Sequence, residues 1–570
     1  MNCPAMTGLR ASGVWLAVIF ATFATDAACT KRRAHVASGE LQNIVAKPAP
    51  AGTRRAVWDD VRAFYAQRQH APAWIGDSAP SARAKDALRV IESANEHGLL
   101  ASDYDEPTIA RLLGELTTAE VDQASADRLT RLAQFDVRVT AALLGLGRDV
   151  AIGRTTPVSI DRRWKVRRTA PDVAGSLNTA IGGDLAEWLG AIQPRHPEYA
   201  ALQKALADMT GVRRRGGWPK VPAGVFTLDV SHRSVITLRQ RLAATGELQP
   251  ADQRRPEVRA KYDSRVENAV RAFQEHHALK ATGVVDAVTQ AAMNVSVDER
   301  IRQIALNLER WRWMPDDFGA RHFIVNIPYF HVVAREHGKP VNDIRVVVGK
   351  PGNETPIFSS EMDTVVFSPY WNIPDTIVSG ETAPAVAKDT SYLARNNIEV
   401  LRVSNSGAER VDPSTIEWDD PAAVQELAFR QRPGAKNALG HVKFLFTNPY
   451  NVYLHDTPAD NLFARRGRAF SHGCIRIEEP AALAKYVLRD QPDWTEPRIL
   501  AAMHAGVEKA VKVAQPIPVH VVYFTAWVDE RGGIHFQPDV YGYDNPLVRV
   551  DVQQSRFAAS LGIADMSLRD

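Results

Sequence analysis

Apolar positions along this chain fall into two textures that meet near residue 300. In the first half they recur at intervals of three and four. Within WDDVRAFYAQR, Trp58, Val61, Phe64 and Tyr65 form one apolar helix face. ALRVIESANEHGLL repeats the pattern and stops at Gly98, and helices continue through Leu129 to Leu146. The spacing therefore predicts a helical domain over 55–220, with no cluster of catalytic residue types in it. RRRGGWP at 213–219 breaks the pattern and marks a boundary. Beyond it, Leu238 and Leu242 share one helix face, and Val266, Val270 and Phe273 share another. Thr282-Gly283 turns the chain, and Asp286 caps a third helix ending near Asn294. A longer helix is expected from Glu299 to Trp313.

The second half is β-rich. FIVNIPYFHVV, IRVVVGK and TVVFSPYWNIP are short β-branched and aromatic runs bounded by Gly and Pro, and VKFLF and NVYLH continue the pattern. PVHVVYFTAWVDERGGIHF ends the series as a hairpin turning at Asp529 to Gly533. The interruption at 370–436 is helical and polar in texture, and an inserted cap is expected there, with Tyr370 and Trp371 lining the base of a cleft. Short strands with regular punctuation predict a sandwich-like domain over 298–550, followed by a tail at 551–570.

Length and composition fit this multidomain α+β reading. The 570 residues correspond to three or four domains at about 150 residues each. Apolar content of 45% and charged content of 24% suit globular domains with cores of their own. A net charge of +3 is too small for a nucleic-acid or membrane-surface role. Arg10 followed by the apolar stretch GVWLAVIFATFAT and small residues at 25–28 reads as a cleaved export signal over 1–28. A linker over 29–54 follows. Cys29 directly after the small residues leaves lipid attachment as a second reading, although Asp26 stands where such signals carry leucine.

Only three cysteines occur, at positions 3, 29 and 474, so neither a disulfide framework nor a CxxC zinc site is available to the exported chain. The histidines also lack companion ligands at zinc-site spacing. Cys474 stands in FSHGCIRI. A cysteine nucleophile needs a group that manages its proton and donors for the oxyanion. Gly473 permits close approach of a substrate carbonyl, and the backbone N–H groups of Gly473 and Cys474 are candidate oxyanion donors. Strand alternation from Cys474 puts Arg476 on the same face and Ile475 and Ile477 in the core. Arg476 would favour the thiolate and could hold a substrate carboxylate. The proton partner is His455, at the end of NVYLH, or His472, on the turn itself. A loop containing Pro458 and Gly467 is long enough to bring His455 back to Cys474.

HDTP followed by SHGCIR resembles the signature of the L,D-transpeptidase catalytic domain, a cysteine-dependent β-sandwich. VVVGKP…TP at 346–356 and NALGHVKF at 437–444 are also typical of that family. Residues 225–297, with Phe273-Gln274, Leu279, Gly283 and Asp286, resemble the three-helix peptidoglycan-binding domain. The whole order is similar to the large periplasmic Gram-negative branch of the transpeptidases. The resemblance implies a periplasmic enzyme without cofactor or metal, acting on peptidoglycan tetrapeptide stems as donor and acceptor and inhibited by carbapenems. It implies that Cys474 forms a thioester and that His455 transfers the protons, while Ser471, His472, Gly473 and Arg476 bind substrate or the oxyanion. The product would be a 3→3 cross-link. Water, a free D-amino acid or a wall protein as the second reactant remain alternatives, as does a non-catalytic wall-binding role. Many family members carry Asn where Arg476 stands. If Asp456 follows His455 along a strand, it points away from the imidazole, so any orienting bond to His455 must come from a backbone carbonyl.

Overall fold

The computed structural model describes residues 37–50, 52–76, 78–118, 126–164, 168–249, 259–404, 407–418 and 420–547. The expected export signal, Cys29 and the 551–570 tail lie outside the described residues. No described helix is long and apolar enough to cross a membrane. Two compact units are present, one over residues 37–154 and 169–194 and the other over 155–168 and 195–547.

The first unit is helical. Trp58, Val61, Phe64 and Tyr65 are all buried on the helix Arg55–Gln67, as their spacing requires. The expected linker at 29–54 is partly wrong. Residues 37–46 are helical, with Leu41 and Val45 buried in the same core, because Leu41, Ile44 and Val45 repeat at three and four. A buried carboxylate ties the unit together. Asp136 accepts from the Tyr65 hydroxyl at 2.5 Å and from the Trp74 N–H at 2.7 Å. Polar groups buried this deeply are retained where each has a partner.

The helical region expected over 55–220 is split between the units. The helix Pro197–Arg214 belongs to the second unit. Its Tyr199, Leu202, Leu206 and Met209 share a core with Ile304, Leu308 and Trp311 of the helix Val297–Trp313. An apolar helix face is covered by whichever complementary face the fold brings to it, and periodicity cannot name that partner.

The three-helix module is built from Ser234–Ala244, Ser264–His276 and Ala287–Met293 around Leu238, Leu242, Val266, Val270 and Phe273. Asp286 caps the third helix by accepting from the Thr289 N–H, as expected. Gln274 is fully enclosed. Its amide donates to Val284 O and Thr289 Oγ1 and accepts from the Gly283 N–H, fixing the turn between the last two helices.

The mostly β part contains, in chain order, β1 Arg321–Asn326, β2 His331–Glu336, β3 Lys339–Gly349, β4 Phe358–Phe367, β5 Trp371–Asn372, β6 Ile398–Ser404, β7 Gly407–Arg410, β8 Leu427–Gln431, β9 Val442–Phe446, β10 Leu454–His455, β11 Ala469–Ser471, β12 Ile475–Ile477, β13 Lys509–Val522, β14 Ala526–Val528 and β15 Ile534–Phe536. Nine of these form one sheet ordered β11-β3-β12-β10-β9-β4-β13-β1-β2, and β3 also pairs with β2. The sandwich-like expectation is thus met by one sheet that closes on itself through β3. The first half of that strand faces β2, and Val346 and Val347 face β12.

The segment expected to be helical and polar carries a sheet of its own, ordered β5-β8-β6-β7. Ile373, Val378, Val386, Leu393, Val400 and Phe429 form its separate core. LAFRQ alternates in burial as a strand does, whereas IEVLRVS buries Glu399, Val400 and Leu401 in succession and leaves Arg402 to Ser404 exposed. The pairing of Trp371 with Gln431 closes the insertion at its root.

Candidate active site

Parallel pairing of β10 with β12 sets the geometry. Leu454 lies opposite Ile475 and His455 opposite Arg476, while Ile475 N–H donates to Tyr453 O at 3.1 Å. Ile475 and Ile477 are fully buried, so Cys474 and Arg476 take the other face, as alternation predicts. Cys474 is half-buried and sits one residue before β12.

His455 is locked from two sides, pairing also with Lys443 of β9. Its Nδ1 donates to the backbone carbonyl of its own neighbour Asp456 at 2.5 Å, the kind of orienting bond that alternation requires. That bond leaves the lone pair on Nε2. Burial first, then the charges of Arg476 and Lys443, pull His455 down to about 3, against the Asp456 carbonyl. The imidazole is therefore neutral at physiological pH. The Asp456 carboxylate instead receives the His441 and Thr457 N–H groups, each at 2.7 Å.

The thiol meets a mixed environment. Burial pushes Cys474 up, opposed by hydrogen bonds from the Tyr453 backbone and phenol and by the charge of Arg476. Its S–H points to Asn451 O at 3.7 Å. The side chain of Asn448 organises that turn, accepting from the Tyr450 and Val452 N–H groups and donating to Phe446 O and Val452 O. A neutral thiol and a neutral imidazole are the resting state these shifts describe.

The Cys474 turn is braced by the segment at 346–356. Thr355 Oγ1 donates to Gly473 O at 2.8 Å and accepts from the Gly349 N–H at 2.9 Å. Gly473 sits at φ +115°, which a side chain would strain. One expectation is corrected here. The Gly473 N–H donates to Ser471 Oγ at 3.1 Å, and Ser471 Oγ donates to Cys474 O at 2.5 Å. Ser471 is thus a buried brace for the turn rather than a substrate contact, and Gly473 is already committed. Among the described residues the Cys474 N–H has no partner, so it is the remaining donor of the pair.

His472 projects to the outside of the turn, where its Nε2 meets Glu381 Oε1 of the insertion at 3.0 Å. No acidic side chain among the described residues pairs with Arg476. Among the described residues neither Tyr370 nor Trp371 makes a hydrogen bond to Cys474. Tyr370 O accepts from Lys443 Nζ at 3.3 Å and its ring lies under Arg430, while Trp371 pairs in β5 at the root of the insertion. Sheet pairing at the root, rather than the cleft, decides their position.

Sequence reasoning missed Tyr453, Thr355 and Glu381. The signal for Tyr453 was available. In NVYLH it stands two positions before His455, on the same strand face, and their rings meet at 5.7 Å. Thr355 lay within a quoted motif, whereas nothing local marks Glu381.

Comparison with known proteins adds an independent line. Residues 320–511 match the L,D-transpeptidase catalytic domain family, 231–293 a peptidoglycan binding domain and 59–206 a scaffold domain. A Haemophilus influenzae protein that carries the name L,D-transpeptidase is 33% identical over 246 residues, which is 43% of this chain and 49% of that protein. The chain therefore spans about half the length of that relative. Among solved structures, the L,D-transpeptidase from Xylanimonas cellulosilytica is 16% identical, with 53% of this chain and 99% of that one covered at a TM-score of 0.17. The L,D-transpeptidase 3 from Mycobacterium tuberculosis in complex with a faropenem-derived adduct is 15% identical, with 35% and 60% covered at a TM-score of 0.17. Taken with the motif and the geometry around Cys474, the family matches identify residues 320–511 as an L,D-transpeptidase catalytic domain and residues 231–293 as a peptidoglycan-binding domain.

Proposed function

We propose that the protein forms 3→3 cross-links in peptidoglycan through a thioester on Cys474. The observation that carries this reading is the His455 Nδ1–H bond to the Asp456 carbonyl, on the strand that pairs directly with the strand after Cys474. It leaves one imidazole nitrogen able to accept a proton, on a residue paired with Arg476 two positions from the thiol. In the first half-reaction His455 Nε2 takes the Sγ proton as sulfur attacks the carbonyl of the third stem residue. The Cys474 N–H stabilises the oxyanion. The C–N bond to the terminal D-alanine then breaks, and the amine leaves with the proton held by His455. In the second half-reaction the side-chain amine of another stem attacks the thioester and passes its proton to the same nitrogen. The new amide forms and the thiol is restored. No proton is lost or gained over the cycle.

Arg476 suits a stem carboxylate. It shares the face of Cys474, is half-buried, and has no acidic partner among the described residues. The insertion is placed to exclude water from the thioester through its Glu381–His472 contact. Carbapenems offer a strained carbonyl to the same sulfur and should acylate it. An exported, wall-facing location accords with the peptidoglycan-binding domain.

The test is mass spectrometry of the products that the purified protein makes from disaccharide-tetrapeptides. Cross-linked dimers that have lost one D-alanine support the proposal. Products formed only with water or a free D-amino acid would assign the same thioester to hydrolysis or exchange. Turnover by Cys474→Ala would overturn the nucleophile.

A further inference from the structure

The proposed chemistry uses none of the histidines where the three-helix module meets the last hairpin. His276 ends the helix Ser264–His276, and Asp529 and His535 flank the β14–β15 turn. One nitrogen or oxygen from each lies within 4.8 Å of the others. All three side chains are half-buried. Asp529 Oδ2 faces His535 Nε2 at 2.9 Å, and the two imidazoles meet edge to face at 4.8 Å.

The surroundings resemble a prepared site rather than a chance cluster. Asp529 Oδ1 is occupied by the Arg531 and Gly533 N–H groups, at 2.9 and 2.8 Å, which fixes the direction of Oδ2. Trp527 stacks on the His535 ring at 5.0 Å and 8°. On the other side, Glu247 Oε1 stands 3.8 Å from His276 Nδ1, so Nε2 is the nitrogen turned to the hairpin. Gly533 keeps the centre open. A Cβ there would lie 2.8 Å from His276 Nε2 and 3.1 Å from Asp529 Oδ2. Any larger residue would fill the point on which the two groups converge.

We propose that His276 Nε2, the His535 imidazole and Asp529 Oδ2 bind one divalent transition-metal ion, Zn²⁺ by preference, with water as the remaining ligand. Two imidazoles and a carboxylate suit a borderline ion, and a carboxylate behind one histidine is the usual outer support. Bonds of about 2.0–2.1 Å place tetrahedral ligands about 3.3 Å apart, so the groups contract slightly around the ion. The ion replaces the proton shared by His535 and Asp529, so affinity falls as pH falls. Its structural effect reaches the catalytic loop. Two residues beyond His276, Ala278 O accepts from Arg466 Nε at 2.7 Å, and Arg466 belongs to the segment joining His455 to Cys474. A metal at His276 would fix the base of that contact.

Tag-free full-length protein, stripped with EDTA and titrated with zinc sulfate by calorimetry, should bind one equivalent. The double variant His276→Ala/His535→Ala should lose that binding while keeping its circular dichroism. Asp529→Asn and Glu247→Gln should each weaken binding about tenfold or more. Zinc should also slow amide exchange across residues 456–470 in the wild type and not in the double variant. No stoichiometric binding by the wild type would overturn the site, as would undiminished binding by the double variant. Should the double variant misfold, unchanged affinity in the gentler Asp529→Asn variant serves the same purpose.

Discussion

His455 and His472 come to the Cys474 turn from two differently built regions. His455 lies in a seam of paired strands, with β9 on one side and β12 on the other, and its ring is fixed by a backbone carbonyl. His472 lies on the turn outside the ladder, and its recorded partner, Glu381, belongs to an inserted subdomain with its own sheet and core. A group that must exchange a proton at a fixed distance is carried where ladder hydrogen bonds define the backbone. A group whose partner comes from a separately folded insertion can change its contact without disturbing the seam. Under the proposed function, the chemistry belongs to the first region and access to the second.

The largest test of this division is the nucleophile. Cys474→Ser should lower cross-linking roughly a thousand-fold or more with unchanged circular dichroism, because the serine hydroxyl is far harder to deprotonate. Next, His455→Ala should reduce single-turnover thioester formation about a thousand-fold, and His472→Ala only about tenfold. Near-normal acylation in His455→Ala beside complete loss in His472→Ala would reverse the assignment of the two regions.

Excision of 371–431, replaced by a short Gly/Ser linker, should spare acylation and raise hydrolysis relative to cross-linking several-fold. An unchanged product ratio with activity retained would make the insertion a passenger. A smaller effect concerns the thiol. Because burial raises its pKa and Arg476 opposes that rise, alkylation of Cys474 by iodoacetamide should accelerate with pH around a midpoint above that of a free thiol. Arg476→Ala should move the midpoint further up, and a downward move would show that the guanidinium does not act on the sulfur. Last, Thr355→Val removes the bond to Gly473 O and leaves the Gly349 N–H without its acceptor. It should cost about 2 kcal/mol in chemical unfolding.

Much of the site was readable because its motifs mark local geometry. VVVGKP…TP supplies Gly349 and Thr355, which brace the Cys474 turn. NALGHVKF supplies the His441 N–H that fixes Asp456. The alternation in CIRI placed both isoleucines inside, with Cys474 and Arg476 on the other face. The donor assignment at Gly473 failed because Ser471 Oγ, two positions earlier, captures that N–H, a detail of turn closure that spacing leaves open. The helical texture of the insertion is met by Ala383–Lys388 and Ser391–Arg395, but its sheet was missed because IEVLRVS does not alternate in burial.

By itself the sequence determined what short-range physics controls: which faces of helices and strands are apolar, where Asp286 caps a helix, and which cysteine stands in a reactive context. Only the tertiary structure decided which distant groups meet. It gave the helix Pro197–Arg214 to the second unit, set Tyr453 against the sulfur, brought Glu381 to His472, and gathered His276 with Asp529 and His535. Local periodicity records how far each residue lies from water. It does not record the strand order and helix docking that choose partners across the chain.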